Sequence, residues 1–140
     1  MTLKDVYGEC EKDGVTVDCY KTEHVKAFSF PYDNGVIVID DTKVKNSAEE
    51  KEIIMHEKIH IDLGAFYYFS TPYAVKGKME KMVDKRAIKK LVPLDELKEA
   101  LNQGISEPWD LAEYFNVTDK FMAKVLDFYK IQLLDYRDEN

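Results

Sequence analysis

A chain of 140 residues with 27 acidic and 20 basic side chains carries a net charge of −7, which argues against a general nucleic-acid binder because phosphate contacts need clustered Lys and Arg. The length suits one domain with a single core and leaves little for a separate regulatory module. The charged start has no signal-peptide pattern and no apolar run approaches the roughly 20 residues that span a bilayer, so a cytoplasmic protein without a membrane partner is expected.

Residues 1–46 read as a β-rich part. Val15, Val17 and Cys19 alternate with Thr16, Asp18 and Tyr20, the period of a strand with one buried face. Ala27, Phe28 and Phe30 open a second strand, and Val36-Ile37-Val38-Ile39 make a third. Between these two, Pro31-Tyr32-Asp33-Asn34-Gly35 holds the Asn-Gly signal of a hairpin. A small antiparallel sheet follows, and its edge offers backbone hydrogen bonds to an extended peptide. Cys10 and Cys19 lack C-x₂-C spacing and read as free thiols in a reducing compartment.

Residues 47–93 carry the chemistry. Ser47 with Glu50 reads as a capping box and Gly64 as a stop, bounding a helix of about four turns. Inside it, His56-Glu57-Lys58-Ile59-His60 spells HExxH. Residues four apart differ by about 40° around the helix axis, so the two imidazoles converge on one ion. Glu57 lies about 100° round from His56, placed to reach a water beside the metal, as a general base must. Zinc lowers the pKa of such a water towards about 7, which suits hydrolysis of a peptide bond. The competing reading is a helix with two histidines at its surface or core edge.

The aromatic stretch 65–73 links this helix to the next. It reads as core beneath a connecting loop or as a wall of a substrate cleft, with an unspecified tyrosine stabilising an oxyanion. Pro72 argues against uninterrupted helix there. A helix over 78–92, stopped by Pro93, then carries Met79, Val83, Ala87 and Leu91 as an apolar stripe.

A catalytic zinc takes three protein ligands and keeps a position open. The metzincin extension would place a histidine at position 66, which is Phe66, and the remaining His24 lies far upstream. Glu80 is the better third ligand. Asp84, four residues on, suits a supporting place, accepting the far N–H of a ligating imidazole. Among Lys76, Lys78, Lys81, Lys85 and Arg86, Glu80 alone would read as a solvated charge; its short separation from HExxH favours ligation. Such a ligand set also accepts manganese or iron, so zinc rests on motif precedent.

Residues 94–140 read as helices: Leu94–Asn102 ended by Gly104, one capped by Ser106 and running to Phe115, and a last one capped by Thr118 that carries Phe121, Val125, Phe128 and Leu133 or Leu134. The stretch 109–129 has the outline of a helix-turn-helix. Its second helix offers Lys120, Lys124 and Lys130 against Asp119 and Asp127, a weak footprint for a major-groove reader. The alternative function is therefore a DNA-binding or protein-binding regulator without turnover.

Taken together these blocks resemble the ImmA/IrrE-type zinc metallo-endopeptidases of phages, conjugative elements and bacterial regulatory loci. After HExxH the second block reads Glu80, Val83, Asp84, Ala87, Leu91, Val92 and Pro93, and a third resembling segment holds Leu111, Ala112, Phe115, Val117 and Thr118. Lys58-Ile59 stands where the family often has Leu-Gly, which implies bulkier packing behind the metal helix, and Val83 replaces the commoner alanine. The resemblance implies an α+β metallopeptidase with His56, His60 and Glu80 on Zn²⁺, Glu57 as catalytic base and Asp84 behind the ligands. It also implies limited proteolysis of a bacterial or phage transcriptional repressor.

Overall fold

The computed structural model of the chain describes residues 1–66 and 70–139. The architecture is α+β, and the contacts group into two compact units, Met1–Ala87 and Ile88–Asn140.

The first unit opens with α1 (Leu3–Lys12), a correction to the expected β-rich start. Thr2 and Asp5 exchange side-chain and backbone hydrogen bonds as a capping box, and Val6 and Cys10, four apart, are the buried pair. That spacing is helical, although two residues give too short a stripe to stand out from charged neighbours.

Strands β1 (Thr16–Cys19), β2 (Ala27–Phe30) and β3 (Val36–Ile39) form one sheet in the order β1-β3-β2. The expected antiparallel sheet is instead mixed: β2 and β3 are an antiparallel hairpin, while β1 runs parallel to β3. β3 is buried at all four residues, and an unbroken apolar strand takes the centre, where both its edges are paired. Helix α2 packs on β2 and β3, and the fully buried Ile37 and Ile39 mark the face it covers.

The hairpin turn at 31–35 places Asp33 and Gly35 at positive φ. Gly35 has φ +113°, and a Cβ there would lie 2.6 Å from the side chain of Ile61 on α2. Only glycine meets both demands, and a side chain at this point costs about 1–3 kcal/mol in backbone strain alone. The turn thereby sets how closely the sheet approaches the helix that carries HExxH.

Helix α2 spans Ser47–Leu63, and Gly64 ends it at φ 60° as expected. The expected cap moves by one residue: Asn46 accepts from the Glu49 backbone N–H at 2.9 Å. Asn and Ser are comparable caps, and the extended backbone falls at Asn46. Helix α3 (Tyr73–Leu91) starts earlier than the expected residue 78, because the Pro72 carbonyl accepts from Val75 and Lys76 and opens the first turn. Of its expected stripe, Val83, Ala87 and Leu91 are buried and Met79 is half-buried.

The second unit combines the last turn of α3 with α4 (Leu94–Asn102), α5 (Pro108–Phe115), α6 (Asp119–Phe128) and α7 (Lys130–Glu139). The cap of α5 is Glu107 with Pro108 following, in place of the expected Ser106; proline's fixed φ suits the first helical turn. Thr118 caps α6, accepting from Phe121 N–H at 3.1 Å. The expected single last helix is broken at Tyr129, where the backbone leaves helical geometry; its ring is buried and its hydroxyl donates to the Val92 carbonyl at 2.9 Å. Helices α5 and α6 pack against each other across a turn at Asn116, which has positive φ, and so have a helix-turn-helix outline. No helix among the described residues is long and apolar enough to cross a membrane.

Candidate metal centre

Two buried lysines on α2 show how its orientation is held. Lys58, 1% exposed, lies between Asp13 at 2.7 Å and Asp62 at 2.6 Å. Burial opposes its charge, but hydrogen bonds to the two carboxylates outweigh that and raise its pKa. The bulkier packing expected behind the helix from Lys58-Ile59 is present, with Ile59 buried and Lys58 buried as an ion-paired cation. Lys58 sits about 200° round the helix from either histidine, so its tether to Asp13, the residue ending α1, turns the histidine face away from α1. Lys51, also fully buried, donates to the Met1 carbonyl at 3.1 Å, and burial lowers its pKa.

On the opposite side, His56 and His60 bring their rings to a centroid separation of 4.9 Å. Glu80 of α3 reaches both: its Oε2 lies 3.2 Å from His56 Nε2 and its Oε1 lies 3.0 Å from His60 Nε2. The three potential ligand atoms all fall within 4.8 Å of one another. Ligands at zinc-like bond lengths in a tetrahedron sit about 3.3 Å apart, and the two separations, which run to different oxygens of Glu80, are in that range. The group can hold a metal ion. The three residues are graded in exposure, with His60 buried and His56 and Glu80 about one-third exposed, which leaves one side of the cluster open to the groove.

The chain also sets one tautomer. His60 Nδ1 lies 2.6 Å from the carbonyl oxygen of Ala65; a carbonyl only accepts, so Nδ1 carries a hydrogen, and Nε2, which faces Glu80, is the nitrogen that could take a metal. Gly64 makes this possible, since its left-handed turn folds the chain back until Ala65 N–H meets the His60 carbonyl at 2.9 Å. Ala65 has no side chain that would announce the role, and only the glycine signal in the sequence hints at it. Asp84 is half-buried one turn beyond Glu80 on α3, but for His60 the orienting acceptor is Ala65 rather than this aspartate.

Glu57 joins His56, His60 and Glu80 in lining a groove of about 480 Å³ whose other wall is β2. The Lys26 carbonyl accepts from Asp40 N–H at 2.8 Å, making 26 and 40 a hydrogen-bonded pair. By the alternation of antiparallel ladders, the backbone N–H and C=O groups of Ala27 and Ser29 then point away from β3, to the free edge on the groove side. Of the aromatic linker, Phe66 lines this groove, while Tyr67, Tyr68 and Phe69, which include two of the tyrosines considered for an oxyanion role, lie outside the described residues.

Residues that do not join the site are equally clear. His24 is highly exposed in the loop between β1 and β2, beside Glu23 at 3.7 Å. Cys10 and Cys19 are free thiols, and burial pushes Cys10 up to about 11, which keeps it protonated and unreactive.

Asp40, at the end of β3, anchors the loop that carries Val25 into the groove. Its carboxylate accepts from Thr42 Oγ1 at 2.5 Å, from Thr22 N–H at 2.9 Å and from Thr42 N–H at 3.1 Å. The Thr42 hydroxyl first, then the Thr22 amide, hold its pKa down at about 2. A carboxylate with a lowered folded pKa stabilises the fold fully above its unfolded pKa of about 4 and loses that contribution as pH falls through the folded value. Asp40→Asn is therefore expected to lower the urea midpoint at neutral pH and to flatten its fall between about pH 4 and about pH 2, measured by circular dichroism; an unchanged acid profile would refute the assignment.

No protein-family model and no curated protein matches this chain.

Proposed function

We propose that the chain is a zinc-dependent endopeptidase in which His56, His60 and Glu80 hold the metal and Glu57 is the catalytic base. The observation that carries this reading is the convergence of two imidazole nitrogens and a Glu80 oxygen beside a second carboxylate, in a groove bordered by a free strand edge. Two nitrogens and one oxygen suit zinc in a catalytic site with an open position. Bound there, zinc supplies Lewis acidity, polarising the scissile carbonyl and acidifying a water.

The chain's own groups account for the remaining steps. Glu57 takes a proton from the attacking water and returns it to the leaving amine nitrogen, so one carboxylate serves as base and then acid. Ala27 and Ser29 pair with the backbone of an extended substrate and hold the scissile bond over the cluster. The Ala65 carbonyl keeps His60 in its ligating tautomer, and Asp84 does the same for His56. The resemblance to the ImmA/IrrE-type peptidases supports a transcriptional repressor as substrate. The mixed charge on α6, with Asp119 and Asp127 beside Lys120 and Lys124, supports a DNA-binding role far less.

Elemental mass spectrometry of untagged protein tests the premise. About one zinc per chain is expected, lost in the His56→Ala, His60→Ala double variant. Protein that takes up no zinc even when it is supplied would overturn the reading.

A further inference from the structure

The groove over the metal centre continues past β2. A second groove, of about 630 Å³, lies against the outer face of the sheet and shares Val25, Phe28 and Phe30 with the first. Tyr20 and Val38 extend its apolar lining, and the polar loop residues 21–24 border it. Phe28 and Phe30 are opposite Val38 and Val36 in the ladder, so all four share the face turned away from Ile37 and Ile39. Tyr20, Val25, Phe28 and Phe30 are 66%, 49%, 42% and 38% exposed. Apolar side chains left singly in water need no explanation, but a contiguous group continuous with a cleft marks a binding surface.

The spacing of this surface carries the argument. Phe28 and Phe30 stand two residues apart on an edge strand, with ring centroids 6.1 Å apart and planes 28° from parallel. A peptide that adds to the free edge of β2 lies about 4.8 Å away, with alternate side chains on the same face as these rings. We propose that this face selects the substrate: an extended segment with aromatic or branched aliphatic residues at two alternate positions, flanking the bond presented to Glu57. The proposal rests on the peptide-hydrolase reading and adds to it a substrate class. A second copy of the chain fits the surface poorly. It would bring a further charge of −7 and its own Glu57 and Glu80 towards the same cleft, and β2 is only four residues long and is followed by Pro31, which has no N–H to pair.

Binding and cleavage are measured separately. For binding, zinc-loaded Glu57→Gln protein is titrated by fluorescence anisotropy with a labelled decapeptide carrying two phenylalanines at alternate positions in a Gly/Ser background, and with the same peptide bearing serines instead. The phenylalanine peptide is expected to bind about ten-fold tighter, with the preference lost in the Phe28→Ser, Phe30→Ser background and reduced in Tyr20→Ser, Val25→Ser. Zinc content and circular dichroism show that each variant is folded. Equal affinities, no binding of either peptide, or a preference untouched by both double variants overturns the proposal. So does sedimentation showing a dimer that Phe28→Ser dissociates. Cleavage of the phenylalanine peptide by the parent protein is followed by mass spectrometry: preferential binding without cleavage keeps the surface and withdraws the hydrolase, whereas cleavage without preference does the reverse.

Discussion

Replacing Glu57 with Gln is expected to leave metal content unchanged and to lower kcat by about 10²–10⁴-fold, the range that a positioned general base contributes. The amide keeps the size and much of the hydrogen bonding of the carboxylate but cannot take up a proton from water. Metal should stay because, among the described residues, the convergent donor atoms come from His56, His60 and Glu80. KM should move little, since Gln keeps the size of Glu57 in the groove lining and the strand edge is untouched. Elemental analysis together with steady-state kinetics on a cleaved protein or peptide checks both halves. Full activity in Glu57→Gln would pass the base to another group, whereas loss of metal along with activity would make Glu57 part of the metal-holding set.

Glu80→Ala is expected to weaken zinc binding by at least about 100-fold, measured by competition against a chelating dye. Loss of a partner behind the ligands already costs 10–100-fold, and Glu80 stands in direct reach of both imidazoles, at 3.2 and 3.0 Å. Its removal leaves two nitrogen donors on one helix and deletes the negative charge between them. Glu80→Gln should fall between the parent and Glu80→Ala, because an amide oxygen is a weaker, neutral donor. Unchanged affinity in Glu80→Ala would move the third ligand elsewhere on the chain. Because the readout is metal affinity, it is independent of whether the substrate has been found.

Much of the site is legible in the sequence because it is local. HExxH sets His56 and His60 four residues apart, and the helix around it announces itself through a polar cap, acidic first-turn residues and Gly64. Glu80 is legible only in outline: a charged helical residue among lysines reads as solvated until another element is known to face it. The first helix is not legible because its buried pair, Val6 and Cys10, is too sparse to establish a period. The break at Tyr129 is not legible for the opposite reason, since the apolar positions on either side of it continue a helical stripe.

By itself the sequence determined the pieces whose physics lies within a few residues: helix α2 with its paired imidazoles, the β2–β3 hairpin, the α3 stripe and the α4 boundaries. Tertiary structure alone decided which pieces meet. It put β3 between β1 and β2, with β1 parallel, a choice made by covering the most apolar strand rather than by any turn. It paired Lys58 with Asp13 across 45 residues of chain, a contact that no local period encodes. It also supplied the acceptor for His60 from the Ala65 backbone, and every residue but proline carries the same carbonyl and amide. Side-chain periodicity reports which face of an element is buried; the partner on that face, and the backbone groups brought to it, are settled only when the whole core is closed.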